Sequence, residues 1–168
     1  MPADLVKRIN LDQLYLPFAE RLLDVLAECR KRGAIYVATS GFRSPEEQMA
    51  LWQRGRNKDG AVVRPADVVT RVKFGVHNIG GACDVVRDLD ASKPGVQVSY
   101  QPKDYAVYVE VVESLGLEAG GSWKTFKDYP HAQLPLNKRG VSLLKLRQIY
   151  DAEGIPGVWA HLDSKGPW

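Results

Sequence analysis

The run Ala82-Cys83-Asp84-Val85-Val86 places one carboxylate in an otherwise apolar, β-like segment. Side chains alternate along a strand, so Ala82, Asp84 and Val86 face one side and Cys83 and Val85 the other. A carboxylate among apolar neighbours is costly unless something answers its charge. The fold must therefore bring Asp84 a partner: a metal ion, an arginine or backbone N–H groups. Gly80, Gly81 and Ala82 are small enough to let a neighbouring strand or a bound molecule come close.

Around this strand the chain alternates helical stripes with short β-like runs. Pro17 suits the first turn of a helix, Phe18, Leu22, Val25, Leu26 and Cys29 keep a 3.6-residue period, and Gly33 marks its end. Ala34 to Thr39 reads as a strand. Ser44-Pro45-Glu46-Glu47 reads as an N-cap, a first-turn proline and first-turn acids of a second helix ending near Gly55. Residues 56–73 are polar and irregular and predict a surface loop. A third stripe runs over 103–115 through Tyr105, Tyr108, Val109, Val112 and Leu115 and stops at Gly116. Gly120-Gly121 predicts a turn, and Trp123 to Leu134 a strand pair or irregular β segment. Ser142 to Ala152 predicts a last helix, stopped by Gly154 and Pro156, and the tail, Val158 to Trp168, is too Gly/Pro-rich to assign. Short strands between helices and long loops point to an α+β domain, a small mostly antiparallel sheet with helices packed on it.

At 168 residues the chain is expected to be a single domain, residues 1–168, with its motifs in about 14–135 and a C-terminal helix and tail in 141–168. A hydrophobic fraction of 45% and a charged fraction of 26% are those of an ordinary globular protein. The net charge of +3 is mild, and no Lys/Arg stripe interleaved with aromatics suggests a nucleic-acid partner. Two cysteines, Cys29 and Cys83, are too few for a disulfide framework and read as small buried apolar residues. No run approaches the ~20 apolar residues of a membrane span, so no membrane insertion is expected. Met1 to Asn10 has no apolar core of a signal peptide, and synthesis in the cytoplasm without a signal of its own is expected.

Two of the three histidines lie in suggestive company. His77 precedes the glycine turn that leads into the Asp84 strand. Asp128 precedes His131 by three residues, and the intervening Pro130 makes their relative placement reproducible. A carboxylate beside a metal ion can take a proton from water, and three protein ligands with one open position mark a catalytic zinc site. Residue types alone leave a second reading open, a core histidine with helix caps and salt bridges. His161, in the tail, belongs to no motif.

Gly75-x-His77-x-x-Gly80-x-Ala82-x-Asp84 resembles the Ser-x-His-x-x-Gly-x-Ala-x-Asp signature of the D-alanyl-D-alanine carboxypeptidase and L-alanyl-D-glutamate endopeptidase family of zinc peptidases. Asp128-x-x-His131 resembles its acid-x-x-His element. Ser40-Gly41-Phe42-Arg43-Ser44, followed by Glu47-Gln48, is similar to its Ser-Gly-x-Arg-Ser…Gln segment, and Gly120-Gly121-Ser122-Trp123 to its glycine–tryptophan approach. The four elements stand in the family's order. The resemblance implies one zinc ion held by His77, Asp84 and His131, with Asp128 as general base and then acid. It implies Arg43 as a substrate-binding or oxyanion-stabilising group, with Gln48, Ser40 and Trp123 lining the cleft. Gly75 departs from the usual serine, which removes a hydrogen bond or leaves it to another group.

Within that family the chain resembles single-domain phage endolysins that cut the L-Ala–D-Glu bond of the peptidoglycan stem peptide. Such an enzyme is expected to be a monomer and to reach the wall after a holin opens the membrane. A D-Ala-D-Ala carboxypeptidase is the first alternative. A non-catalytic wall-binding or virion protein retaining the site is the second, and the presence of Asp128 and Arg43 argues against it. A structural-zinc nucleic-acid binder would want a closed site, commonly rich in cysteine.

Overall fold

The computed structural model describes residues 3–168. Its strands are β1 (Ile35–Ser40), β2 (Ala82–Asp88), β3 (Val98–Ser99), β4 (Glu118–Ala119) and β5 (His131–Gln133), and its longer helices α1 (Leu16–Lys31), α2 (Pro45–Gln53), α3 (Ala106–Ser114) and α4 (Leu143–Asp163). The sheet is antiparallel throughout, in the order β1-β2-β5-β4, with β3 also pairing β2. This is the expected α+β architecture.

The Asp84 strand is the centre of the sheet. β1 pairs along one edge of it, while β5 pairs its first half, Ala82 to Asp84, and β3 its last two residues. Both faces are covered, so Ala82, Cys83, Val85 and Val86 are all buried rather than alternating between core and solvent. α1 packs on β1 and α3 with the predicted stripe, burying Phe18, Leu22, Val25, Leu26 and Cys29. Tyr36 of β1 meets Tyr105 and Tyr108 at ring separations of 5.7 and 5.1 Å. Both cysteines are free and buried, and burial pushes the Cys29 thiol up to about 12.

α2 begins as its sequence dictates. Ser44 Oγ accepts the Glu47 N–H at 3.2 Å, and Glu47 Oε2 accepts the Ser44 N–H at 2.8 Å, a reciprocal cap. The loop over 56–73 contains only a short 3-10 turn, Pro65–Asp67, and an isolated bridge between Arg56 and Val62.

Of the two readings of Trp123 to Leu134, the irregular β segment holds and the strand pair does not: only His131–Gln133 is strand, and it pairs with β2 and β4. One expectation is corrected: helix does not end at Gly154 and Pro156, and the residues past them are helical as far as Asp163. Gly154 breaks the helix at φ 69°, ψ −165°, and the chain resumes helix with Pro156 close behind the break. A proline is tolerated in a first turn, where its missing N–H has no bond to make. Val158 and Leu162 of this second half are buried, and Trp159 Nε1 donates to the Ile79 carbonyl at 2.8 Å.

Candidate metal centre

The first histidine stands on a single 3-10 turn, Val76–Ile79, closed by Gly80 at φ 70°. No side chain fits at Gly80, because a Cβ there would lie 2.6 Å from the Gln13 carbonyl and 2.9 Å from the Tyr15 nitrogen. Asn78, fully buried, holds the turn: its Oδ1 accepts the Gly75 N–H at 2.7 Å and its Nδ2 donates to the Arg43 carbonyl at 2.8 Å. Gly75 itself sits in ordinary extended backbone. Sequence reasoning passed over Asn78, although a polar residue beside a histidine and ahead of Ile79-Gly80 is a recognisable turn signal.

β1 and β2 slip register between Ala38 and Ser40, directly opposite Asp84. Thr39, at the irregularity, donates its hydroxyl to the Asp84 carbonyl at 3.2 Å. Irregular pairing of this kind re-aims side chains next to functional sites. The second histidine is the cross-strand partner of Asp84, through the Asp84–His131 pairing of β2 and β5.

His77, Asp84 and His131 thus converge, each offering one ligand atom, all within 4.8 Å of one another. His77 Nε2 lies 3.4 Å from Asp84 Oδ2, and His131 Nδ1 lies 3.0 Å from Asp84 Oδ1. Both histidines are buried, each only 7% exposed. His77 Nδ1–H donates to the Gly41 carbonyl at 2.6 Å, which leaves Nε2 for a ligand. Burial opposes the Asp84 charge, but His77 and the His131 hydrogen bond hold the carboxyl far below the usual carboxylate range. Burial likewise opposes a charged His131, and Asp84 outweighs it and raises the imidazole. Two imidazoles and one carboxylate, with their other nitrogens already oriented, suit a tetrahedral divalent ion with an open position.

Arg43 comes to the same carboxylate, its Nη2 3.8 Å from Asp84 Oδ2. Its Nη1 donates to Gln48 Oε1 at 2.9 Å and its Nη2 to Ser40 Oγ at 3.1 Å. Gln48, expected to line the cleft, is 2% exposed. Its Nε2 donates to the Val72 carbonyl at 2.7 Å and Thr70 Oγ1 at 3.2 Å. With both ends occupied within the protein, Gln48 reaches a substrate only through Arg43, and Ser40 also serves as a brace for that arginine. Arg71, between those two anchor residues, lays its guanidinium over the ring of Phe126, in the segment that carries Asp128.

Asp128 is placed by backbone: its N–H donates to the Gly120 carbonyl at 3.1 Å, and its carbonyl accepts the His131 N–H at 3.1 Å. Gly120 leaves the room, since a Cβ there would run into the Asp128 carbonyl. Although Asp128 is exposed on one side, partial burial, and then the charge of Asp84, raise its carboxyl above the usual carboxylate range. A raised carboxyl beside a metal-type cluster has the character of a proton carrier. Trp123 stands against His131 with ring centres 5.2 Å apart. His161 lies in α4, outside this cluster. A cleft of about 550 Å³ adjoins the site through Ser40, Gly41 and Arg43 but does not include the His77–Asp84–His131 cluster itself, so the cluster and not the cleft locates the chemistry.

Two buried histidines and the half-buried Asp84 on an antiparallel sheet form a donor set that suits a divalent metal ion, with the Asp128 carboxylate in the neighbouring segment. A family model described as D-alanyl-D-alanine carboxypeptidase matches residues 70–134, a span that holds His77, Asp84, Asp128 and His131. The peptidoglycan L-alanyl-D-glutamate endopeptidase CwlK of Bacillus subtilis (strain 168) is 35% identical over 124 residues, which are 70% of this chain and 72% of that protein. The crystal structure of the L-Ala D-Glu endopeptidase ChiX of Serratia marcescens has the same fold. It superposes with a TM-score of 0.54 at 24% identity, over 79% of this chain and 94% of that one. The chain belongs to this carboxypeptidase-related family and is a peptidase.

Proposed function

We propose that this peptidase is zinc-dependent and hydrolyses the L-Ala–D-Glu bond of peptidoglycan stem peptides. The observation that carries the reading is the convergence of His77 Nε2, His131 Nδ1 and the Asp84 carboxylate on one point. Similarity to an endopeptidase of that bond over most of the chain supports the choice of substrate. His77, Asp84 and His131 would hold the ion. When bound, zinc supplies Lewis acidity toward a peptide carbonyl and makes water nucleophilic near neutral pH.

The chain's own groups do the rest. Asp128, with its raised carboxyl, takes the proton of the attacking water and returns it to the leaving amine. Arg43, fixed by Ser40 and Gln48, offers its guanidinium to the oxyanion or to a substrate carboxylate. Trp123 walls the site beside His131. The biological role that fits is a phage-type lysin acting as a monomer on the wall after release from the cytoplasm, in line with the resemblance of its motifs to single-domain endolysins.

The test is zinc content and muropeptide cleavage on one purified sample, before and after chelation. One zinc per chain, chelator-sensitive cutting and products ending in a free L-Ala carboxyl support the reading. Release of D-Ala alone would turn it into a carboxypeptidase. Bound zinc with no cutting of any wall preparation would leave a binding protein.

A further inference from the structure

We infer that Glu118, which touches none of the proposed ligands, is the positioning residue that fixes which nitrogen His131 presents to the metal. The inference rests on the proposed zinc site but not on the bond that the enzyme cuts.

The relay is a matter of donors and acceptors. Gln133 follows His131 by two residues on β5, so both side chains stand on one face of the sheet. Glu118 of β4 is the direct cross-strand partner of Gln133. Gln133 Nε2 donates to Glu118 Oε1 at 3.2 Å, and Gln133 Oε1 lies 2.9 Å from His131 Nε2. An ionised carboxylate can only accept. A flipped amide would set its oxygen against the Glu118 carboxylate and its NH2 against His131. Glu118 therefore holds the glutamine oxygen toward the ring, and that oxygen can only accept a proton from Nε2. With Nε2–H so occupied, Nδ1 is the nitrogen left for a ligand, and Nδ1 is the one that faces Asp84 at 3.0 Å.

The same Glu118 oxygen also accepts the Trp123 indole N–H at 2.7 Å. The ring it anchors is the one that stands against His131. One half-buried carboxylate thus sets both the protonation pattern of the ligand and the wall beside it. Outer partners of metal-bound histidines typically carry a 10–100-fold share of metal affinity.

The test uses the full chain, with zinc affinity measured by competition against a chelator and the site's geometry read from the absorption spectrum of the cobalt-substituted protein. Glu118→Gln keeps the shape but gives position 118 an amide that can donate or accept, so Gln133 is no longer forced. Zinc affinity should fall by about 10-fold or more, and the cobalt bands should shift. The double variant Glu118→Gln/Gln133→Glu restores an acceptor-only group against His131 Nε2, and it should recover most of the lost affinity. A merely structural Glu118 predicts no such recovery. Unchanged zinc affinity in Glu118→Gln, or a double variant worse than the single, would overturn the inference. Should the variants fold poorly, imidazole nitrogen NMR of the zinc-loaded unsubstituted chain decides: a proton on Nε2 with zinc on Nδ1 supports the idea, and a proton on Nδ1 with zinc on Nε2 sinks it. A protein that binds zinc tightly and cuts no wall peptide would remove the proposed activity while leaving these measurements to stand on their own.

Discussion

His77 and Gly41 lie 2.6 Å apart, ring Nδ1–H to main-chain carbonyl, and this one contact turns the other nitrogen of His77 toward Asp84. The carbonyl belongs to the segment Ser40–Arg43, so the piece of chain that orients the first ligand also delivers the arginine. Arg43 N–H in turn donates to the His77 carbonyl at 3.2 Å. Two segments far apart in sequence are thereby locked before any ligand arrives, which is what a hydrolytic site needs to avoid reorganising during reaction.

The division between ligand and base gives the first prediction. His77→Ala and Asp84→Ala should each lose bound zinc and all measurable cutting, because a two-ligand remnant holds the ion poorly. Asp128→Ala should keep zinc and fold while kcat drops by about 10²–10⁴-fold. Metal analysis beside muropeptide kinetics separates the two outcomes. Equal zinc loss in all three variants would show that Asp128 is a ligand.

The second prediction concerns Gln48. Its buried amide ties Arg43 to Thr70 and Val72, so Gln48→Ala leaves the Val72 carbonyl and one guanidinium N–H without their partner. Stability should fall by about 1–3 kcal/mol, read from denaturant midpoints. Because Arg43 loses a brace, kcat/KM should fall with zinc content unchanged. Full stability together with a higher KM alone would mean that Gln48 contacts substrate directly.

The ligand set was implied by the resemblance alone, but several of the local elements that frame it were legible in the residues themselves. The turn at Gly80, the cap at Ser44 and the Asp128–His131 spacing are set by near neighbours, and the folded chain keeps each of them. Gln133 and Glu118 were not legible, since their pairing depends on β4 and β5, strands of two and three residues whose register is decided by tertiary packing. A trace was present: Gln133 two residues after a candidate ligand on a strand must share its face. The second half of α4 was hidden for another reason. Gly154 and Pro156 read as a stop, whereas together they break one helix and begin another.

The third prediction tests that reading of α4. Gly154 holds φ 69° with ψ −165°, a region that residues bearing a Cβ avoid, and space around it is otherwise open. Gly154→Ala should therefore cost stability through backbone strain alone, about 1–3 kcal/mol, without touching zinc affinity. A neutral substitution would mean that the break can shift to a neighbouring residue.

The last prediction concerns how the N-terminal segment is tied to the end of the chain. The Tyr15 hydroxyl donates to Asp163 Oδ1 at 2.6 Å, joining the residue before α1 to the last residue of α4. Burial first, and then this bond to a carboxylate, raise the Tyr15 hydroxyl above its ordinary value. A raised folded pKa means that the fold favours the neutral phenol. The resulting stability is present in full below the unfolded tyrosine pKa of about 10, and it is lost as pH climbs through that value toward the folded one. Tyr15→Phe removes both the bond and the titration. It should be less stable than the parent at pH 7 by about 0.5–1.5 kcal/mol, or more if the bond's charged acceptor dominates, and the gap should close as pH rises past 10. Denaturant titrations of both proteins at pH 7 and above pH 10 measure the two gaps. A gap that stays constant across that range would show that the Tyr15 hydroxyl does not link folding to pH.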